Sequence, residues 1–318
     1  MDRSITTLLL LVPVLAACTW SVAAQTNQNL AQRLGYAENA KLLVVHADDI
    51  GVTHSENAAS ISAWERGGIT SGSVMVPCPW FPEIAAYARE NPSFDLGIHL
   101  TLTAEWKHYQ WDGVQPASEI PSLLNEEGYF YETVQEVVNH AEPGEVEKEL
   151  RAQIERAIDY GIDPTHLDAH MGAAGATPEL FGIMMKLGRE FKIPVRIEQS
   201  DLENAQYAEQ VPNGYIISRS ENALTTSVPA DRWNQAYDQI ITSLKPGLNE
   251  LIVHLAYDNE EMRAVTVDKE HWYESAWRQR DYDYVTSQRF RDLLRKENIQ
   301  LVTWREIQHL MYPDRSDR

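Results

Sequence analysis

From Lys41 onward, short apolar runs rich in β-branched residues alternate with longer stretches of helical period, and this rhythm constrains the chain more than any other feature. Strands separated by helix-length crossovers pair in parallel, because only a segment of a dozen or more residues can return the chain to the same end of a sheet. The pattern predicts strands at Leu42 to His46, Thr70 to Val76, Leu96 to Leu102, Thr165 to Ala169, Val195 to Glu198, Leu251 to Leu255 and Leu301 to Thr303. Helices are expected at Glu56 to Arg66, Glu145 to Tyr160, Pro178 to Phe191, Arg232 to Leu244 and Thr286 to Lys296. In the second of these, Val146, Leu150, Ile154 and Ala157 recur three or four residues apart among charges, one apolar stripe facing a core. No Gly/Ser linker or shift of composition divides residues 41–318, so the reading is a single barrel-like α/β domain.

The first two dozen residues follow a different logic. Arg3 precedes the apolar run Ile5 to Ala17, which is short for a bilayer span and is followed by small residues, the pattern of an export signal. Leu15-Ala16-Ala17-Cys18 suits lipoprotein processing before Cys18, whereas Val22-Ala23-Ala24 suits ordinary cleavage before Gln25. The expectation is a signal peptide over residues 1–24, a linker over 25–40, and an exported product, periplasmic or secreted, that touches a membrane only through a lipid on Cys18. Either cleavage leaves Cys78 as the lone thiol, so no internal disulfide braces the fold. In Val76-Pro77-Cys78-Pro79 that thiol is expected to pack as a small buried hydrophobe. The 27 Lys and Arg against 47 Asp and Glu give a net charge of −20, which repels phosphate backbones and argues against nucleic acid as a partner.

Two long segments break the βα rhythm: Thr103 to Glu142, rich in Trp, Tyr and Pro, and Ala256 to Tyr284, with His271, Trp272, Tyr273 and Trp277. At the carboxyl ends of barrel strands such loops build binding sites, and aromatic rings suit the apolar faces of sugars. Packing of the loops onto the barrel is the competing explanation.

Residues able to do chemistry gather at the strand ends. The first strand closes His46-Ala47-Asp48-Asp49-Ile50-Gly51, and since Thr53 and Glu56 already form a capping box for the next helix, the aspartates have no evident structural task. Leu96-Gly97-Ile98-His99-Leu100 sets a histidine inside an apolar strand. In Thr165-His166-Leu167-Asp168-Ala169-His170 the residues His166, Asp168 and His170 share one face, and Leu251-Ile252-Val253-His254 ends a later strand in the same way. Four strands thus deliver carboxylates and imidazoles toward one rim. With no cysteine at hand, such a set suits a divalent ion, and adjacent aspartates suit an activated water with a nearby base better than the spaced carboxylates of a glycosidase.

These segments resemble the YdjC-like carbohydrate deacetylases, among which are chitooligosaccharide deacetylases and hopanoid-associated relatives. Ala47-Asp48-Asp49-Ile50-Gly51 with Asn57 is similar to the family's opening Ala-Asp-Asp-Phe-Gly and its downstream Asn, and Gly67-Gly68-Ile69-Thr70-Ser71-Gly72-Ser73 to its second strand. Gly97-Ile98-His99-Leu100-Thr101-Leu102-Thr103 and Pro164-Thr165-His166-Leu167-Asp168-Ala169-His170 are the most specific pieces, and the likeness runs from about Lys41 to Met311. The resemblance implies a single irregular seven-stranded β/α barrel of the glycoside hydrolase/deacetylase type. It also implies a divalent metal, Mg²⁺ or Zn²⁺, on Asp49, His99 and His170, with Asp48 as general base and His254 as general acid. The implied activity is metal-dependent removal of acetyl groups from an N-acetylated sugar or oligosaccharide. Arg196, in Pro194-Val195-Arg196, is placed to orient the base or to form a structural salt bridge. The chain departs from the family's usual pattern after His170, where it reads Met171-Gly172-Ala173-Ala174-Gly175, and at His254-Leu255-Ala256 in place of His-Pro-Gly.

Two other classes use part of the same equipment. A metal-dependent phosphoesterase would share the ligands but need basic residues for its phosphate. A noncatalytic glycan-binding lipoprotein would keep the aromatic loops and have no use for Asp48 beside Asp49.

Overall fold

The computed structural model describes residues 28–224, 228–267 and 273–315. The leader with Cys18, and His271 and Trp272 of the second long loop, lie outside these residues. Seven parallel strands form one sheet: β1 (Lys41–Ile50), β2 (Ser71–Val74), β3 (Leu96–Leu100), β4 (Leu167–Ala169), β5 (Ser220–Asn222), β6 (Gly247–His254) and β7 (Ile299–Leu301). Their order is β4-β3-β2-β1-β6-β5, and β7 pairs with Lys41 to Leu43 on the edge of β1 that β2 occupies further along.

One expected strand is different. Val195 to Glu198 makes only isolated bridges, Leu167 to Val195 on one side and Glu198 to Ser218 on the other, and the fifth strand is the unanticipated Ser220–Asn222. Pro194 cannot donate to a ladder, and Ser-Glu-Asn carries no apolar alternation to read. The bridges still matter, because Arg196 N donates to Leu167 O at 2.8 Å and Ser218 N to Ile197 O at 2.9 Å, so this segment spans the gap between β4 and β5 as the sheet curls.

β1 is the central strand and is buried on both faces. Its odd-numbered Leu43, Val45 and Ala47 join the main core beneath the surrounding helices, while Leu42 and Val44 join a second cluster with Ala31, Leu248, Val302, Trp304 and Ile307. That second cluster plugs the amino-terminal end of the barrel. Ala31 belongs to a one-turn helix, Leu30–Arg33, whose capping box on Asn29 sets it against the plug, where Leu30, Leu34 and Tyr36 also pack. Beyond Val44 the inner face of β1 turns polar, with His46 and then Asp48, both buried. The expected capping box forms: Thr53 Oγ1 accepts from Glu56 N, and Glu56 accepts from Thr53 N at 3.0 Å. Cys78 is buried in the core as a free thiol.

Candidate active site

The two aspartates point to one site because the backbone turns between them. Asp49 has φ 63°, in the left-handed region, and Gly51 has φ 99°. Asn57 fixes this corner: its Oδ1 accepts from Gly51 N at 2.8 Å and its Nδ2 donates to Trp80 O at 3.0 Å. Register does the rest, setting Asp48 opposite His254 on β6 and His99 opposite Asp168 on β4.

Asp49, His99 and His170 converge. Asp49 Oδ1 lies 3.6 Å from His99 Nε2 and 3.3 Å from His170 Nδ1. Ligand atoms that share one tetrahedral ion at about 2.1 Å stand about 3.4 Å apart, so the trio has the spacing of a three-residue metal centre. Carboxylates hold the far side of each ring: His99 Nδ1 is 2.9 Å from Asp168 Oδ1, and His170 Nε2 is 3.0 Å from Glu105 Oε2. Such partners orient ligand imidazoles and raise their basicity. Asp168 is itself held by Ser73 Oγ, which donates to Oδ2 at 2.9 Å.

The electrostatics agree with a site built for a cation. Burial alone would lower His170, but the Glu105 and Asp49 carboxylates override it and bring it to about 10. His99 is likewise raised, burial being outweighed by Asp168 and Asp48. Burial would raise both aspartates, yet Asp48 is brought down to about 2 by His99, His46 and Arg196, and Asp49 falls well below the carboxylate range through Arg278 and the nearby imidazoles. His254 goes the other way: burial lowers it to about 4, only partly opposed by Asp49, and its Nε2 lies 3.9 Å from Asp49 Oδ2. Asp281 accepts from His254 N at 3.1 Å, and the ring packs on Tyr273.

Several contributors escaped sequence reasoning. Arg278, almost fully buried, donates from Nη2 to Asp49 Oδ2 at 2.9 Å and from Nη1 to Glu56 Oε1 at 2.6 Å, with its guanidinium over the Trp106 ring. Asp49 therefore offers Oδ1 to the imidazoles while Oδ2 is engaged. Glu56, expected only as a cap, is also this arginine's counter-ion. Glu105 lies outside any motif, and a contact spanning more than two hundred residues, such as Arg278 to Asp49, leaves no local signal. Arg196 does stand near the base, with Nη1 3.8 Å from Asp48 Oδ1, but it lies 3.5 Å from Asp168 and 3.3 Å from Glu221 as well. His166, expected at the rim, instead sits deeper in the barrel against His46. The reason is register: it precedes β4 and points inward one layer below Asp168.

Asp48, Asp49, His99, His170, His254 and Arg278 line a cavity of about 560 Å³, together with Trp106, Met171, Phe181, Tyr207 and Tyr273. The two explanations of the aromatic loops each hold in part. Trp106 and Tyr273 face the cavity, whereas Trp111 is buried with its Nε1 donating to Thr103 O, and Trp277 packs against Trp233.

Comparison with known proteins converges on one family. The sequence profile of YdjC-like proteins matches residues 42–296. The chain is 30% identical over 296 residues to a carbohydrate deacetylase of Thermus thermophilus, covering 89% of this chain and all of that one. It is 35% identical over 154 residues to one from Brevibacillus brevis, covering 48% of this chain and 58% of that one. A solved structure from Enterococcus faecalis, named for cellobiose-phosphate cleavage, superimposes with a TM-score of 0.70 at 25% identity over 84% of this chain and 99% of its own. With its profile, its full-length relative and its parallel barrel in agreement, this chain belongs to the YdjC-like family.

Proposed function

We propose that the protein is a carbohydrate deacetylase that hydrolyses the acetamide of an N-acetylated sugar with a divalent metal held by Asp49, His99 and His170. The observation that carries this reading is the convergence of that trio, at ligand spacing, with a separate carboxylate, Asp48, beside it in one cavity. A bound cation supplies positive charge that makes a water more acidic and polarises the acetamide carbonyl.

The chain's own groups divide the remaining work. Asp48, ionised well below neutral pH, accepts the proton of the attacking water. His254 is neutral in the resting site and sits across the pair from Asp48, so the proton that Asp48 takes from water passes to it and on to the leaving amine. Arg196 spreads its charge over Asp48, Asp168 and Glu221, which keeps the base ionised. Tyr273, half-buried at the cavity wall, offers its ring to the sugar.

Charge narrows the substrate. Glu105, Glu198, Asp201 and Glu221 line the cavity, and its Arg196 and Arg278 are each within ion-pair distance of carboxylates. A neutral or cationic sugar suits this lining better than a phosphate ester, which argues against the phosphoesterase reading. The leader adds a location: cleavage of residues 1–24, or before Cys18 with lipid attachment, would deliver the barrel outside the cytoplasm. Mass spectrometry of the protein from its native host checks this, and an intact Met1 would reject it.

The deciding experiment is acetate release from a panel of acetylated glycans, with added Zn²⁺ or Mg²⁺ and with a chelator. Release that chelation abolishes and metal restores is the expected result. Release indifferent to chelation would overturn the metal assignment, and none from any glycan would overturn the function.

A further inference from the structure

Beneath Asp48 a string of polar side chains occupies the barrel interior, where apolar side chains are the usual filling. His46 lies two residues before Asp48 on the same inner face of β1 and is fully buried. Its Nδ1 stands 2.6 Å from Asp48 Oδ1, an ion-pair distance, and neither atom makes a hydrogen bond of ordinary geometry among the described residues. Its Nε2 stands 2.7 Å from His166 Nε2. His166 Nδ1 is 3.0 Å from Thr165 Oγ1, which is 2.9 Å from Asp95 Oδ1. Asp95 Oδ2 accepts from Arg305 N at 2.7 Å, so the string ends at the amino-terminal face of the barrel.

The place is shaped for this string. A Cβ at Gly97 would come within 2.4 Å of the His166 ring, so glycine there makes the room. Trp304 stacks on the other side, ring centroids 5.1 Å apart and planes 24° from parallel. A second cation on His46, His166 and Asp168 is the competing explanation, with Asp168 Oδ2 3.7 Å from His46 Nε2. The 2.7 Å between the two imidazole nitrogens is a hydrogen-bond distance, well short of the roughly 3.4 Å between two nitrogens sharing a zinc ion.

Two orders of protons satisfy these contacts, and both place a proton on His46 Nδ1, facing Asp48. Two facing Nε2 atoms need one N–H and one bare nitrogen. If His46 donates from Nδ1 to the Asp48 carboxylate, its bare Nε2 accepts from His166 Nε2–H. His166 Nδ1 then accepts from Thr165, whose oxygen accepts from Asp95 in its acid form; if Thr165 instead donates to the Asp95 carboxylate, which also accepts from Ser71 Oγ at 2.5 Å, His166 donates to Thr165 from Nδ1 and accepts from His46 Nε2–H. Burial raises Asp95, favouring that acid form, and burial holds His166 well below its ordinary range and so neutral.

We infer that His46, fixed by His166, Thr165 and Asp95, is a positioning residue for Asp48, reserving Oδ1 so that Oδ2 faces the cavity to take the proton. The inference rests on the reading of Asp48 as the base. Removing His46 frees the carboxylate to rotate without touching the metal trio, so the loss belongs in kcat more than in KM.

The test measures acetate release by the full mature chain, wild type and variants, with the metal and glycan that serve the wild type, beside ¹⁵N spectra of its histidines without substrate. His46→Ala should lower kcat by about 10-fold to 100-fold with KM within about 3-fold. His46→Asn, which keeps an N–H near the Nδ1 position, should recover most of that loss, and His46→Ala should cost nothing further in Asp48→Asn. Full additivity with Asp48→Asn, or wild-type kcat in His46→Ala, would overturn the inference. If His46→Ala does not fold, the spectra decide: a proton on His46 Nδ1 supports it, and a bare His46 Nδ1 overturns it. That proton without acetate release from the wild type would instead overturn the deacetylase reading.

Discussion

Asp48 and Asp49 are neighbours in the chain, yet they are held from opposite directions. Asp48 continues the inner face of β1 and is gripped from below and from the side by His46 and Arg196, groups inside the barrel. Asp49 is swung out by a left-handed backbone and gripped by Arg278 from the helix Ser275–Val285, while its other oxygen meets His99 and His170. The lesson is that role follows support rather than residue type. A carboxylate fixed in the barrel wall suits proton transfer, and one pinned at the rim among imidazoles suits a metal.

The harshest way to break this contrast is to remove a ligand. His99→Ala or His170→Ala should lower kcat/KM by at least about 10³-fold and empty the site of metal, because three protein ligands leave none to spare. Undiminished metal by elemental analysis in both variants would reject the trio.

The grip from that helix is tested by Arg278→Met. It leaves buried Glu56 without its charged partner, and above about pH 8, where Glu56 is ionised, breaking such a pair costs about 3 to 5 kcal/mol in chemical denaturation. Glu56 already sits near 8, because burial outweighs Arg278, so adding Glu56→Gln should return part of the loss. A double variant no more stable than Arg278→Met alone would show that the pair is not the source.

The grip from the barrel is sharpened by exchanging the aspartates one at a time. Asp48→Asn should lower kcat by about 10² while metal stays, since an amide accepts no proton. Asp49→Asn should lose metal first. Loss of metal from the former and retention by the latter would reverse the two roles.

The smallest effect concerns the support of His254. Burial raises Asp281 to about 7 despite donors from Tyr237, Trp233 and His254. Folded Asp281 binds its proton more tightly than unfolded, so its stabilisation is complete below the ordinary carboxylate range and is lost as pH rises through about 7. Stability should therefore fall by about 1 kcal/mol per pH unit between pH 4 and 7 from this group, and the wild-type minus Asp281→Asn difference in Tm against pH should show it. A flat difference would assign the slope elsewhere.

The sequence by itself determined the parallel β/α architecture, because apolar period is a local property that helices and strands write into neighbouring residues. It also determined which strand ends carry Asp48, Asp49, His99, His170 and His254, since residue order alone places them there, whereas a left-handed backbone turned Asp49 to the site. Tertiary structure alone decided what surrounds them. Arg278 on Asp49, Glu105 on His170 and His46 against His166 are contacts between segments far apart in sequence, made by curling of the sheet, and no spacing encodes them. The same curl lowered His166 from the rim into the interior and replaced the expected Val195 to Glu198 strand by bridges, because layer and pairing depend on register between strands, which a single strand's pattern does not contain.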